Sequence, residues 1–301
     1  KVMIKSDGVP SYHLANVCDD HDMGVTHVLR GQEWVNSTPL HVIMYNVFGW
    51  EAPTFAHLPL IMNPDGKGKL SKRNASKYGV PIAPLSFTDE NGNQVKGWRE
   101  MGYSPEAFIN FLSLIGWHPS GEKEVMTMDE LIADFDLTKV VGHGARLDMS
   151  KAPWFNNQHI KMLDNKVIID YIKENVDLGV DYTDDKWNKI VDICKDRAHF
   201  MSDINGIASI FSHKEVKKID TSDVFKTVFN TFVQHGMSIE WDAKVIKETI
   251  FDICASQGVK MGKVMPDLRN SITGGVSGPD LVTTMEIIGR DETKKRLLNS
   301  L

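Results

Sequence analysis

Between residues 24 and 63 the spacing of apolar positions changes twice. Val25, His27 and Leu29 alternate ahead of Arg30-Gly31, which is the period of a strand. Leu40, Ile43, Met44, Val47 and Phe48 then recur at helical spacing, behind Ser37 as an N-cap and Pro39 in the first turn, and Gly49 ends the run. Phe55 to Met62 is again a short apolar strand. Strand, helix, strand at this length predicts a βαβ unit with parallel strands. One such unit cannot cover both faces of a sheet, so the rest of the sheet is expected to be absent or remodelled.

Residues 64–77 interrupt the pattern. Basic residues alternate with glycine and serine from Pro64 to Lys77, which predicts a flexible basic loop just beyond a strand's end. Asp89-Glu90-Asn91-Gly92-Asn93 is a turn signal between two strand-like stretches and predicts a small hairpin within 87–99. From residue 104 the period is helical. Ser104-Pro105-Glu106 opens a helix carrying Phe108, Phe111, Leu112 and Ile115, with Gly116 behind it. Thr127-x-x-Glu130 is a capping box. Ser222 precedes a stripe of Phe225, Val228, Phe229 and Phe232 that Gly236 closes, and Val245, Thr249, Ile250, Ile253 and Cys254 form another. These aromatic stripes predict core. The last ~45 residues read as two short helices around a Gly/Pro loop, Thr273 to Pro279.

The chain of 301 residues is 42% hydrophobic and 25% charged, ordinary for a soluble globular protein of two or three domains. No apolar run approaches ~18 residues, so no membrane span is predicted. The start lacks an initiator Met and an apolar leader, and the chain is expected to begin inside a longer protein. Cys18, Cys194 and Cys254 lie far apart, which argues against a zinc ribbon or a disulfide framework and fits a reducing cytoplasm. The net charge of −6 gives no global support to a nucleic-acid binder. From Gln257 onward, however, basic residues outnumber acidic ones, so this is the relatively basic end.

Two stretches carry candidate chemistry. Lys69-Leu70-Ser71-Lys72-Arg73 offers mobile cations and hydroxyl and N–H donors, the groups a nucleoside triphosphate needs, with Gly66 and Gly68 allowing close approach. By composition alone, a solvated basic surface loop is the favoured reading. Tyr12 and Asn16, four apart on a helix, share a face that can present a hydroxyl and an amide. Arg30, at a strand's C-terminal end, is a candidate carboxylate clamp. Spacing equally allows Tyr12 to pack on a core and Arg30 to pair with Asp19 or Asp20. His13, His21, His27 and His41 lack convincing metal-ligand spacing and read as core or surface histidines.

In order along the chain, several segments resemble glutamyl-tRNA synthetases, a family of class I aminoacyl-tRNA synthetases. They are Asp7 to Asn16, Asp19 to Trp34, Ser37-Thr38-Pro39, Phe48-Gly49-Trp50, His57 to Leu60, Lys69 to Arg73, Gly102 to Ala107, Leu114 to Trp117, and Pro266 to Gly274 with Gly278-Pro279. The resemblance implies a mainly α protein with a small α/β N-terminal part. Residues 1–77 would be the second half of a class I Rossmann fold, 78–160 a stem-contact region with an inserted hairpin, and 161–301 an all-helical anticodon-binding domain. It implies ATP-dependent attachment of glutamate to tRNA(Glu), with Mg2+ accompanying the nucleotide, no zinc and no membrane, in a cytoplasmic monomer. By position, Lys72, as the catalytic residue, with Lys69, Ser71, Arg73 and Trp34 would contact ATP. Tyr12, Asn16 and Arg30 would hold glutamate, and Arg269, Gly278 and Pro279 would approach the anticodon.

The sequence departs from the family in two ways. No His-x-Gly-His occurs in it, so the family's first nucleotide motif is missing, and this stretch alone is expected to be inactive in adenylation. Residues 78–99 are longer than the family pattern. Three other readings share some of the motifs: a glutaminyl-tRNA synthetase, whose tail would be a β-barrel; a short tRNA-modifying relative, which would lack residues 161–301; and a non-catalytic tRNA-binding module.

Overall fold

The computed structural model describes residues 1–213, 219–276 and 279–301. It divides into two compact units, 1–155 and 156–301.

The first unit runs α1 (Tyr12–Asp22), β1 (His27–Gly31), α2 (Thr38–Phe48), β2 (Thr54–Leu58), β3 (Ile61–Met62), α3 (Lys72–Ala75), β4 (Phe87–Thr88), β5 (Gln94–Val95), α4 (Pro105–Ser113), α5 (Met128–Asp134), β6 (Ala145–Arg146) and the start of α6 (Ala152–Met162). β1 and β2 are parallel, with Arg30 opposite His57. This is the βαβ unit the spacing predicts. The faces are reversed, however: Val28 and Arg30 turn inward while His27 and Leu29 are exposed. The strand's polar residue is the one that lines the interior, so hydrophobicity alone picks the wrong face. The core of this part is small. Its buried members are Val17, Met44 and Tyr45, with Leu14, Leu40, Trp50 and Phe55 packed around them. Ile43, Val47 and Phe48 on α2 remain exposed.

Ser37 does not cap α2. It lies at the end of a 3-10 turn, Gln32–Ser37, already in helical conformation, is buried, and its hydroxyl makes no cap bond. Gly49 does end α2, in the left-handed conformation with φ 72. The apolar run 55–62 is two strands, broken at Pro59 and Leu60. β4 and β5 form the antiparallel hairpin that the turn residues predict. Ser104 caps α4 through the amide of Ala107, and Thr127 and Glu130 cap each other at α5.

The second unit is helical: the rest of α6, then α7 (Asn165–Asn175), α8 (Asp184–Arg197), α9 (Met201–Ser209), α10 (Asp223–His235), α11 (Ala243–Ser256), α12 (Met265–Thr273), α13 (Leu281–Ile288) and α14 (Arg290–Leu298). No strand occurs among its described residues. One continuous core fills it, including Phe225, Val228, Phe229 and Phe232, all fully buried, at about 1.5–3 kcal/mol of transfer free energy per large side chain. The stretch beyond the Gly/Pro loop is two helices rather than one, because Gly289 adopts φ 88, a turn that ordinary residues rarely make. Arg296, on the relatively basic end, is buried. It pairs with Glu292 and donates to the carbonyls of Ile210, Ile272 and Ser212.

Candidate functional site

The parallel register sets the site. Arg30 and His57 are partners at the C-terminal ends of β1 and β2, and α2 begins beside them with Thr38 and His41. Arg30 Nε donates to His57 Nε2 at 3.2 Å, Nη1 meets His41 Nδ1 at 3.2 Å, and Nη2 donates to Thr38 Oγ1 at 2.8 Å. The guanidinium also lies 5.0 Å from the centroid of the Phe55 ring. No carboxylate is within ion-pair distance of Arg30 among the described residues. The pairing with Asp19 or Asp20 that spacing allowed is not formed, and Asp20 accepts from Asn16 Nδ2 at 3.1 Å.

The three imidazoles around this cation are held neutral. Burial, then the charge of Arg30, lowers His41 from 6.5 to about 4. His57 is lowered by burial and Arg30, and His13 by burial, Lys1 and Arg30. His41 accepts from Arg30 through Nδ1, so its Nε2 carries the proton and donates to His13 Nδ1 at 3.0 Å. A guanidinium has five N–H groups. Three are spent on neutral acceptors, which leaves one on Nη1 and one on Nη2. The result is a positive charge, fixed in orientation, with a pair of donors suited to a carboxylate.

Tyr12 is exposed at the first turn of α1 and stacks on Trp34, with ring centroids 4.8 Å apart. It does not pack on a core. Asn16 lies one turn further on the same helix, which precedes the βαβ unit; Tyr12 meets Trp34 of the 3-10 turn that follows Arg30, and Asn16 meets Asp20. Burial raises the carboxyl of Asp20, against the lowering effect of its bond from Asn16.

The basic loop is ordered, not free. Leu70 N donates to Ile61 O at 2.8 Å and Asn63 N to Gly68 O at 3.0 Å, closing it onto β3. Asn74 ties it from the other side, accepting from Ser71 N at 2.7 Å and donating to Asn63 Oδ1 at 3.1 Å. Ser71 is the N-cap of α3, so Lys72 and Arg73 are helical. Lys69 pairs with Glu33 at 2.6 Å, and that hydrogen bond lowers the Glu33 carboxyl. Lys72 and Arg73 have no ion-pair partner among the described residues.

In the second unit Arg269 sits on α12 and donates through Nη1 to Pro279 O at 3.2 Å, so these two residues do meet. Gly278 lies outside the described residues. Sequence reasoning read His13 and His41 as core or surface histidines, which fits the buried His41, and gave no site role to His57, Thr38 or Glu33. The available signal was the βαβ register itself: parallel strands with the helix between them bring residues at both strand ends and the helix start to one place.

Comparison with known proteins bears on this arrangement. Residues 1–154 match the family of class I tRNA synthetases (E and Q), catalytic domain, and residues 159–301 match an anticodon binding domain. A glutamate–tRNA ligase of Amoebophilus asiaticus is 40% identical over 313 residues, covering 100% of this chain and 61% of the relative. One of Porphyromonas gingivalis is 39% identical, covering 100% and 62%. A crystal structure of a glutamate tRNA ligase from Elizabethkingia meningosepticum, in complex with its amino acid, superposes with a TM-score of 0.81. It shares 43% identity, over 99% of this chain and 61% of that one. The chain thus spans about 61% of the length of such relatives. With its helical, not barrel-like, tail and the match over its first half, this chain belongs to the class I tRNA synthetases of the glutamate and glutamine type.

Proposed function

We propose that this chain forms part of a glutamate–tRNA ligase, which activates glutamate with ATP and transfers it to tRNA(Glu). The observation that carries the reading is Arg30, a buried-side cation surrounded by neutral acceptors with two donors left over. A glutamate side-chain carboxylate satisfies both donors and the charge. A glutamine amide, which brings no negative charge, would leave the cation uncompensated. Tyr12 and Asn16 would position the amino acid, and Trp34 would face the nucleotide and the tRNA 3′ end.

In the first step the glutamate α-carboxylate attacks the α-phosphate of ATP and pyrophosphate leaves. In the second, the terminal ribose hydroxyl of tRNA attacks the activated carbonyl and AMP leaves. Lys72, with Ser71 and Arg73, would stabilise charge developing on the phosphates. Lys69 would exchange Glu33 for a phosphate, at small cost, because an exposed ion pair is worth about 0–1 kcal/mol. Magnesium would enter with the nucleotide and supply positive charge against its phosphates. Arg269 and Pro279, with Gly278, would approach the anticodon. The same reading makes the protein a cytoplasmic monomer.

Glutamate-dependent ATP–pyrophosphate exchange tests it. The 301 residues alone, without a His-x-Gly-His motif, are expected to show none. A ligase that contains them is expected to show exchange and to lose it by about 100-fold or more in kcat/KM for glutamate on Arg30→Ala, equivalent to about 3 kcal/mol. Unchanged glutamate kinetics in that variant would sink the assignment.

A further inference from the structure

Residues 80–84, Val-Pro-Ile-Ala-Pro, form a strap in which three carbonyls accept from residues 98 and 99. Pro81 and Pro84 have no N–H. The Pro81 carbonyl accepts from Trp98 Nε1 at 3.1 Å, that of Ala83 from Trp98 N at 3.3 Å, and that of Pro84 from Arg99 N at 3.0 Å. Beneath the strap, Trp98 packs on Phe108 of α4, with centroids 5.0 Å apart. Between them lies a cavity of about 290 Å³. Ile61, Ile82 and Leu112 line it and are still 42%, 38% and 37% exposed, so apolar surface is left open to solvent. Its polar lining side chains are Trp98, whose indole N–H is bonded to the Pro81 carbonyl; Ser71, already bonded to Asn74; and Lys72, which has no ion-pair partner among the described residues.

We propose that this cavity binds a small, flat aromatic monoanion, an aryl carboxylate or sulfonate, with the ring against Trp98, Phe108 and Leu112 and the anion on Lys72. The walls have few groups to meet the polar edge of a nucleobase, whereas a hydrocarbon ring needs none. The single unpaired cation selects for one negative charge. Binding rests on this geometry alone. A second consequence rests on the function proposed above: an occupant that engages Lys72 competes with ATP.

Calorimetric or ligand-observed NMR titration of the 301-residue chain with 2-naphthoate tests the proposal. One saturable site is expected, with Kd on the order of 0.1–1 mM for a ligand of this size. Lys72→Ala should weaken binding about five- to tenfold, and the neutral analogue 2-naphthalenemethanol should bind about equally to both proteins. Leu112→Trp, which fills the cavity, should abolish binding. The neutral analogue keeps the test decisive if that variant does not fold. Naphthoate affinity unchanged by Lys72→Ala, or matched by the alcohol on the unaltered chain, overturns the proposal. If naphthoate binds as expected but excess ATP does not displace it from a ligase that contains these residues, the site stands and the nucleotide role of Lys72 falls.

Discussion

At the scale of single residues, charge is handled by arrangement. His41 ordinarily titrates near 6.5, and burial followed by the field of Arg30 holds it at about 4. Between those values the unfolded chain binds more protons than the folded one. The stability this neutral histidine confers is therefore present above pH 6.5 and lost as pH falls towards 4, by on the order of 3 kcal/mol in all. An NMR titration of the His41 ring should find its midpoint far below 6, and a midpoint near 6.5 would refute the packing around Arg30. The place of Arg30 at a strand end was legible in the sequence, which left open whether it meets a ligand carboxylate or pairs with Asp19 or Asp20; that pairing does not form. The neighbours of Arg30 were not legible, because His13, His41 and His57 are scattered over 45 positions and only the fold makes them one group. Two of them, His41 and His57, accept from the Arg30 cation, and His13 backs His41.

At the scale of elements, period and most caps were read well, Ser37 before α2 being the exception, and faces less well. α4 and α5 begin at the capping residues that the sequence announces, since a cap is a local bond between neighbours. The exposed and inward faces of β1, the 3-10 turn before α2 and the tied loop 63–71 each depend on distant partners, such as Asn74 for the loop. Segment 78–99 shows the same dependence. A Cβ on Gly97 would lie 2.3 Å from the carbonyl carbon of Leu85, so the two strands of backbone can meet only with glycine there. Gly97→Ala is expected to push the 80–84 strap from Trp98 and cost about 1–3 kcal/mol in urea unfolding. A variant as stable as the unaltered chain would show that this approach is not needed.

At the scale of the whole molecule, net charge is a poor guide. The chain is at −6, yet the proposed partner is a polyanion. Counting charges near the C-terminal end also overstates what faces outward, because Arg296 is 2% exposed and Arg290 is engaged with Trp241 and the Ile239 carbonyl. Local cations would have to carry the proposed RNA binding. Affinity of the 301-residue chain for tRNA should then fall about tenfold or more between 50 and 200 mM salt. Arg269→Ala, which frees the Pro279 carbonyl and loosens its loop, should weaken it further by several-fold. Binding indifferent to salt would exclude this electrostatic mode.

Arg296 has a consequence in time as well as in space. Its guanidinium closes on the carbonyl of Ile210, 86 positions earlier, and on that of Ser212, 84 earlier. Helices α7 to α9 therefore leave the ribosome several seconds before the residue that fastens them, at about 5–20 residues per second. Until then the Ile210 carbonyl lacks its Arg296 donor. The helical unit is thus set to fold late and as a whole, and a ribosome stalled between residues 213 and 296 would hold a nascent chain with its core still open to chaperones and proteases.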